Sequence, residues 1–139
     1  MSVKFFIDTN IFVYSFDSKY PTKRARAVAL ISEALDSGSG IISTQVIQEF
    51  LNMATRKFEV PLKFEDCLLY LHKVLNPLCF VFPDLGLYET CLLVQAETRY
   101  AFYDALILAS AIRGGCEILY SEDLQDQQQV HGVQIVNPF

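Results

Sequence analysis

Short runs of apolar residues recur along the chain, separated by longer stretches in which apolar residues have helical spacing. Short apolar runs are typical of buried strands, whereas apolar positions three or four residues apart are typical of amphipathic helices. The runs predict strands at 3–7, 40–43, 80–83, 117–121 and 133–136. Because helical segments separate these strands, the sheet should be parallel or largely parallel. We therefore predict an α/β fold, a three-layer α/β/α sandwich with a mainly parallel central sheet.

The segments between the apolar runs carry helix signals. Pro21 is expected in the first turn of one helix, which ends at the Ser-Gly-Ser-Gly stretch 37–40. The apolar positions predicted on this helix are Ala25, Val28, Ala29, Ile31 and Leu35. Ser43 or Thr44 can cap another helix, whose predicted apolar face is Val46, Phe50, Met53 and Ala54. Further helices are predicted near 10–16, 63–75, 85–99 and 102–113, with a polar turn over 122–131.

The composition indicates a folded protein. With 139 residues, of which 52% are hydrophobic and 19% charged, the chain is long enough for a core and too apolar for disorder. We interpret 1–139 as a single domain. The start of the chain is too short for a secretory apolar region, and the apolar stretch 105–112 is far below bilayer length. We therefore expect a soluble, cytoplasmic protein with no membrane partner.

The cysteines do not favour a zinc site. None belongs to a Cys-x-x-Cys pair, and the histidines, His72 and His131, are not placed beside them. The thiols are expected to be reduced and buried, as in a cytosolic protein. These cysteines are Cys67, Cys79, Cys91 and Cys116.

Asp8 directly follows the first apolar run, which places a carboxylate at the carboxyl end of a predicted strand. In open α/β sheets, ligands bind in the crevice outside the carboxyl ends of the strands. Glu49, Asp104 and Asp123 stand at comparable junctions. Four converging carboxylates without basic partners would repel one another strongly unless a cation lay between them. The sequence therefore indicates a site that binds a hard metal ion, Mg²⁺ or Mn²⁺, and that catalyses the hydrolysis of phosphodiesters.

Each of these acids also has a purely structural interpretation. Asp8 can cap the next helix, and Asp123 can be a turn residue. Glu49 falls on a helical stripe with Gln45, Asn52 and Arg56, which is how a solvated helix face looks. Asp104 is harder to explain structurally. It is followed by a strongly apolar helix, and a carboxylate on a buried face needs a partner or a metal.

Net charge and basic residues bear on a nucleic-acid substrate. The net charge of −5 argues against broad binding through a basic surface, although bound divalent ions would cancel part of it. Local basic residues can still hold a phosphate backbone, and the alternative is that they are ordinary solvated helix charges. The candidates form two groups: Lys19, Lys23, Arg24 and Arg26, and Arg56 with Lys57.

Four segments, in this order, resemble the motifs of PIN-domain ribonucleases, especially the VapC-like toxins of prokaryotic toxin–antitoxin pairs. The segments are Phe6-Ile7-Asp8-Thr9-Asn10, Gln48-Glu49-Phe50, Phe102-Tyr103-Asp104-Ala105-Leu106 and Tyr120-Ser121-Glu122-Asp123-Leu124. The resemblance spans essentially the whole chain. It implies that Asp8, Glu49, Asp104 and Asp123 form an acidic quartet, supported by Thr9 or Asn10 and by Ser121.

The resemblance also implies an activity and partners. The implied activity is metal-dependent cleavage of single-stranded RNA, which leaves a 5′-phosphate and a 3′-hydroxyl. The implied partners are a second copy of the chain, in a homodimer, and a small antitoxin. Glu122 and Asp126 leave open which acid completes the quartet. Asp123 is preferred because a Ser two positions earlier fits the family pattern. Alternation along the strand would also carry Ser121 and Asp123 to the same side.

Three other functions must be weighed. A strand-end Asp can be a phosphorylated nucleophile, but haloacid-dehalogenase-like phosphatases have a second Asp where this chain has Asn10. Receiver domains have an acidic pair near the first strand and a late Lys, which are not found here. The remaining alternatives are a PIN nuclease outside a toxin–antitoxin pair and a catalytically silent module that binds a protein. Aromatic residues in predicted helices could serve core packing, which we favour, or an interface: Phe50, Phe64, Tyr70 and Tyr88.

Overall fold

A computed structural model describes residues 3–139, and the six strands within this range form one sheet with the order β3-β2-β1-β4-β6-β5. The strands are β1 (Phe5–Ile7), β2 (Gly40–Ser43), β3 (Cys79–Val81), β4 (Ile118–Tyr120), β5 (Gln129–Val130) and β6 (Val133–Val136). All neighbouring strands are parallel except β5 and β6, which are antiparallel. The predicted α/β fold with a mainly parallel sheet is confirmed.

All the helices except the short α5 fall in the predicted segments. They are α1 (Thr9–Tyr14), α2 (Pro21–Ser37), α3 (Thr44–Arg56), α4 (Phe64–Tyr70), α5 (Asn76–Leu78), α6 (Leu85–Thr98) and α7 (Phe102–Arg113). A π-helical segment, Leu71–Leu75, joins α4 to α5. The helix α1 packs against α2 and α3, and α6 packs against α7. Within residues 3–139, no helix has the length and apolar character needed to cross a bilayer.

The strand order explains the two helical layers and locates a crevice. From β1 the chain adds β2 and then β3 on one side, whereas β4 lies on the other side of β1. Since crossovers between parallel strands are right-handed, these opposite directions place the helices before β3 and those after it on opposite faces. The order therefore reverses between β1 and β4. Such a switch point is where ligands bind in open α/β sheets.

The predicted apolar face of α2 is wrong except at Ile31. Val28 is 46% exposed and Leu35 is 38% exposed, and Ala25 and Ala29 are exposed as well. The buried positions are Ala27, Leu30, Ile31 and Ala34. The small side chain of Ala34 lies where a Cβ on Gly40 would be. Because helix and strand approach so closely at this point, a small residue is needed at position 34, and this contact fixes which face of α2 packs against the sheet.

The last hairpin was not predicted. The predicted polar turn contains β5, which pairs with β6 through a two-residue turn, His131-Gly132. Both turn residues have positive φ, 48° and 83°, as in the type I′ turns that suit tight hairpins. Only two residues make up β5, so it leaves no alternating pattern in the sequence.

Core packing explains only half of the aromatic residues assigned to it. Phe50 is fully buried, and Tyr70 stacks on it with ring centroids 5.0 Å apart. Phe64 and Tyr88 are exposed, so the packing interpretation is wrong for these two. The four cysteines are free, and three of them are buried: Cys79, Cys91 and Cys116.

Candidate active site

Asp8 joins the end of β1 to the start of α1. Its backbone N–H donates to the carbonyl of Tyr120 at 3.0 Å, which fixes its position beside the end of β4. The carboxylate accepts from the Thr9 N–H at 2.7 Å and from the Ser121 hydroxyl at 2.8 Å. Asp8 is only 8% exposed. The side chain therefore serves as the helix cap foreseen from the sequence, and it also faces the switch point of the sheet.

Burial perturbs the Asp8 carboxyl group. Desolvation is the largest cause and raises its pKa from 3.8 to about 7. The hydrogen bonds from Ser121 and Thr9 lower the pKa, whereas the negative charges of Asp123 and Glu49 raise it further. The fold therefore holds a carboxyl group whose charged form is poorly compensated near neutral pH.

Glu49 is held from two sides. One carboxylate oxygen accepts from the Thr9 hydroxyl at 2.6 Å, and the other accepts from the Gln45 side-chain amide at 3.1 Å. Thr9 thus contacts both Asp8 and Glu49. The solvated-stripe interpretation of this helix face is wrong at Gln45, which is buried, whereas Glu49 is half-buried.

Asp123 lies in the turn that follows β4. It accepts a short hydrogen bond from the Asn10 side-chain amide. Desolvation and the charges of Glu122, Asp104 and Glu49 raise its pKa, against the lowering effect of Asn10. The strand ends at Tyr120, so strand alternation does not orient Ser121 and Asp123.

Ser121 instead shapes this turn. Its hydroxyl accepts from the backbone N–H of Leu124 at 3.3 Å and donates to Asp8. The two competing acids have other partners. Glu122 forms an ion pair with Lys23 at 2.6 Å, and Asp126 accepts from the backbone N–H of Asn137 at 2.8 Å. These contacts favour Asp123 as the fourth member of the cluster.

Asp104 differs from its predicted environment. It is exposed, whereas the buried part of α7 begins at Ala105 and continues to Ala111. Because Asp104 lies in the first turn, it can project from the end of the helix instead of into the core. Its charge contributes to the raised pKa of Asp123, so the two carboxylates are close enough to repel each other.

The four carboxylates, called the acidic cluster below, are Asp8, Glu49, Asp104 and Asp123. Each of them takes part in at least one like-charge repulsion with another member. Within the described range 3–139, no Lys, Arg or His forms an ion pair with any of them. In the same range, no three Asp, Glu, His or Cys side chains are grouped tightly enough to hold one metal ion as they stand. The cluster therefore has the charge and the oxygen donors of a hard-cation site.

The candidate basic residues differ in whether their side chains already have partners in the structure. Lys23 bonds to Glu122 and lies over the ring of Tyr14, 4.8 Å from its centroid. Arg26 donates to the carbonyl of Pro138 at 3.2 Å. Lys19 lies 3.7 Å from Glu59. The other three candidates are exposed: Arg24, Arg56 and Lys57.

Two residues of this region, Gln45 and Ser43, were not proposed as site residues from the sequence. Gln45 bonds to Glu49 and to the carbonyl of Tyr103, and its position four residues before Glu49 was the available signal. Ser43 is buried at the carboxyl end of β2, the same kind of position as Asp8. It occupies the predicted N-cap position of α3, but its side chain makes no capping hydrogen bond.

The acidic cluster does not line either of two clefts found on the surface. These clefts, of about 440 and 460 Å³, share Phe16 and lie beside α1, α3 and α4. Asp104 and Asp123 are exposed, so the acidic cluster lacks the enclosure that is typical of small-molecule pockets.

A family model for the PIN domain matches residues 5–131. The chain belongs to the PIN-domain family. This match includes the whole acidic cluster and all strands except part of the last hairpin. Comparison with curated proteins found no sequence match.

Solved structures share the fold of this PIN domain. A toxin–antitoxin complex from Klebsiella pneumoniae matches with a TM-score of 0.67 and 21% identity over 99% of this chain and 98% of that one. DNA-bound VapBC from Salmonella typhimurium matches with 0.65 and 21% over 96% and 97%. The sarcin–ricin loop cleaving toxin VapC20 from Mycobacterium tuberculosis matches with 0.56 and 17% over 86% and 90%. At these identities the matches establish a common fold.

Proposed function

We propose that this PIN domain, comprising residues 1–139, is a metal-dependent endoribonuclease and the toxin of a type II toxin–antitoxin pair. The observation that carries the proposal is the acidic cluster at the switch point, which has no cationic partner among residues 3–139. The fold shared with VapC20, a toxin that cleaves the sarcin–ricin loop, supports RNA as the substrate. The fold shared with two toxin–antitoxin assemblies supports the toxin role.

The donor set fits Mg²⁺ or Mn²⁺. All four side chains of the acidic cluster offer carboxylate oxygens, which are the ligands preferred by these hard cations over zinc. Burial, with a smaller contribution from neighbouring carboxylates, raises the pKa of Asp8 and of Asp123, and a bound cation would favour the charged form of both. Asp8, Glu49, Asp104 and Asp123 would hold the ion. A bound ion would activate water for attack on phosphorus and neutralise charge on the leaving oxygen.

The residues around the cluster orient these ligands. Thr9 and Ser121 fix both oxygens of Asp8, and Thr9 also holds Glu49. Asn10 holds Asp123 on the turn after β4. Groups on α1, α3 and the turn after β4 thus hold three of the four carboxylates near the carboxyl ends of β1 and β4. No side-chain nucleophile is needed for hydrolysis by water.

Metal dependence is the direct test. We expect cleavage of unstructured RNA with Mg²⁺ or Mn²⁺, no cleavage in excess EDTA, and no recovery with zinc alone, because the donors are all oxygens. Electrophoresis of an end-labelled RNA panel, including structured RNAs, measures this and identifies the product ends. Undiminished cleavage by chelator-treated protein would contradict the proposal.

The exposed basic side chains are proposed to hold substrate phosphates. Arg24 and Arg56 are exposed and available for such contacts, whereas Lys23 and Arg26 would first have to leave their present partners. Each phosphate contact that is lost should weaken RNA binding and reduce its salt dependence. We propose a cytoplasmic location, consistent with the presence of an RNA substrate there.

We propose a homodimer that forms through exposed apolar side chains of the segment 80–93, which includes the end of β3 and the first part of α6. Large exposed apolar side chains concentrate in this part of the chain: Phe80, Phe82, Leu85, Tyr88, Leu92 and Leu93. Taking ~200 Å² for each when fully exposed, they present on the order of 700 Å². One partner of a standard interface buries ~800 Å². A second copy of this chain is therefore the proposed occupant, whereas the antitoxin would cover the acidic cluster.

Two substitutions at equally exposed apolar residues test the dimer. Leu85, 79% exposed, is in the proposed interface, and Val60, 80% exposed, lies outside it. Leu85→Glu should give a monomer in sedimentation velocity, and Val60→Glu should remain dimeric like the wild type. Leu85 begins α6, where a Glu suits the helix dipole, so loss of folding is not expected. A monomeric wild type or a dimeric Leu85→Glu protein would contradict this interface.

A further inference from the structure

Gln45 has an environment that core packing does not explain. Its side chain is only 7% exposed, at the start of α3. The side-chain amide nitrogen donates to Glu49 Oε2 at 3.1 Å and to the carbonyl of Tyr103 at 3.0 Å. Tyr103 immediately precedes Asp104 in the first turn of α7. The buried amide of Gln45 thus connects the Glu49 carboxylate with the residue that precedes Asp104.

We propose that Gln45 is a positioning residue that sets the orientation of Glu49 and ties α3 to the turn that carries Asp104. This inference rests on the proposed function of the acidic cluster. Thr9 fixes Glu49 Oε1 and Gln45 fixes Glu49 Oε2, so the carboxylate is held at both oxygens. Without Gln45, Glu49 would keep only the bond from Thr9 and could rotate about it.

The two acceptors determine which way the amide points. Both Glu49 Oε2 and the Tyr103 carbonyl accept hydrogen bonds, so only the NH₂ group of Gln45 can face them. The other end of the amide, Oε1, is then buried without a hydrogen-bond partner in the part of the chain that the structure describes. A buried acceptor without a partner is unfavourable. The two hydrogen bonds that the amide donates, to Glu49 and to the Tyr103 carbonyl, are what this glutamine contributes in return.

Glu49 and Asp104 lie on two different helices, which the hydrogen bond from Gln45 to Tyr103 joins. Glu49 is on α3, and Asp104 is on α7. A cation held by both would require a fixed separation between the helices, and the 3.0 Å bond from Gln45 to Tyr103 restrains that separation. Groups that orient metal ligands commonly contribute 10–100-fold to metal affinity or activity, which sets the size of the expected effect.

The test measures Mn²⁺ binding to folded, metal-free protein by calorimetry, independently of cleavage. Gln45→Met removes both hydrogen bonds at similar side-chain length and should weaken Mn²⁺ binding by about 10–100-fold. Gln48→Met is the matched control, because Gln48 is exposed on the same helix, and it should bind Mn²⁺ like the wild type. Gln45→Asn keeps a buried amide but shortens its reach, and it should show the same loss if Gln45→Met does not fold.

A double-mutant cycle identifies the route of the effect. If Gln45 acts through Glu49, adding Gln45→Met to Glu49→Gln should weaken Mn²⁺ binding far less than it does in the wild type. Equal losses in both backgrounds would overturn the positioning role. Wild-type Mn²⁺ affinity in the folded Gln45 variants would overturn it as well. If the wild type binds Mn²⁺, loses it on Gln45→Met, and cleaves no RNA, the inference holds and the proposed ribonuclease function fails.

Discussion

Asp8→Asn is expected to lower RNA cleavage by on the order of 10³-fold or more while the protein stays folded. A bound metal supplies several kcal/mol of charge stabilisation in phosphodiester hydrolysis, and about 1.36 kcal/mol corresponds to a tenfold change in rate. The amide keeps the size of the side chain and can still cap α1, because Asn is as good an N-cap as Asp. Single-turnover cleavage of the best RNA substrate, with circular dichroism as the folding check, measures the effect.

Matched Asp-to-Asn substitutions sharpen this result. Asp36 is exposed on α2, outside the acidic cluster, and Asp36→Asn should cleave like the wild type. RNA cleavage should be strongly impaired in Asp123→Asn but not in Asp126→Asn. Asp126 accepts a hydrogen bond from the Asn137 backbone, whereas Asp123 is close enough to Asp104 and Glu49 for their charges to raise its pKa. The reverse order would assign the fourth acid to Asp126.

The same variant separates an enzyme from a protein-binding module. In cells, wild-type protein should arrest growth and degrade its target RNA, whereas Asp8→Asn should do neither while still binding the antitoxin. Equal growth arrest by both proteins with intact RNA would favour the binding module. Growth arrest by neither, together with metal-dependent cleavage in vitro, would favour a PIN nuclease outside a toxin–antitoxin pair.

The parallel part of the sheet could be predicted because each of its strands is a short apolar run, whereas β5 is too short to leave a pattern. β2 and β6 have the predicted bounds, as does α7, since Gly or polar residues flank the apolar segments. The placement of Asp8 at a strand end followed from the same pattern. The pairing of β1 with β4, which brings Asp8 to Ser121, depends on contacts between residues 113 positions apart and was not predicted. The family resemblance implied only that both residues belong to one site.

Tertiary contacts account for what the sequence did not reveal. Spacing alone permits two faces on α2, and the choice between them depends on how closely Ala34 approaches Gly40. Gln45 was expected on a solvated helix face because polar side chains on a helix are usually solvated. It is buried, and its amide donates to the Tyr103 carbonyl of α7. Asp104 was assigned to a buried face from its neighbours, whereas its place in the first turn exposes it.

Metal-free protein is expected to lose stability as the pH rises from about 4 to about 7, because of Asp8. Its pKa is about 7 in the folded state and 3.8 without the fold, so the folded state holds a proton in this range that the unfolded state has released. The stabilisation is therefore complete below pH 4 and is lost as the pH passes 7. A rise of about 3 pKa units corresponds to roughly 4 kcal/mol at about 1.36 kcal/mol per unit.

Asp8→Asn isolates this contribution, because it has no group to titrate at that position. Urea unfolding in EDTA between pH 4 and pH 8 should show similar free energies of unfolding for wild type and variant at pH 4. At pH 8 the variant should be more stable by up to about 4 kcal/mol. Mn²⁺ at pH 8 should then raise the stability of the wild type far more than that of Asp8→Asn, since a ligand that binds the native state stabilises it. A wild type that gains stability relative to the variant from pH 4 to pH 8 without metal would mean that Asp8 is a well-compensated structural carboxylate.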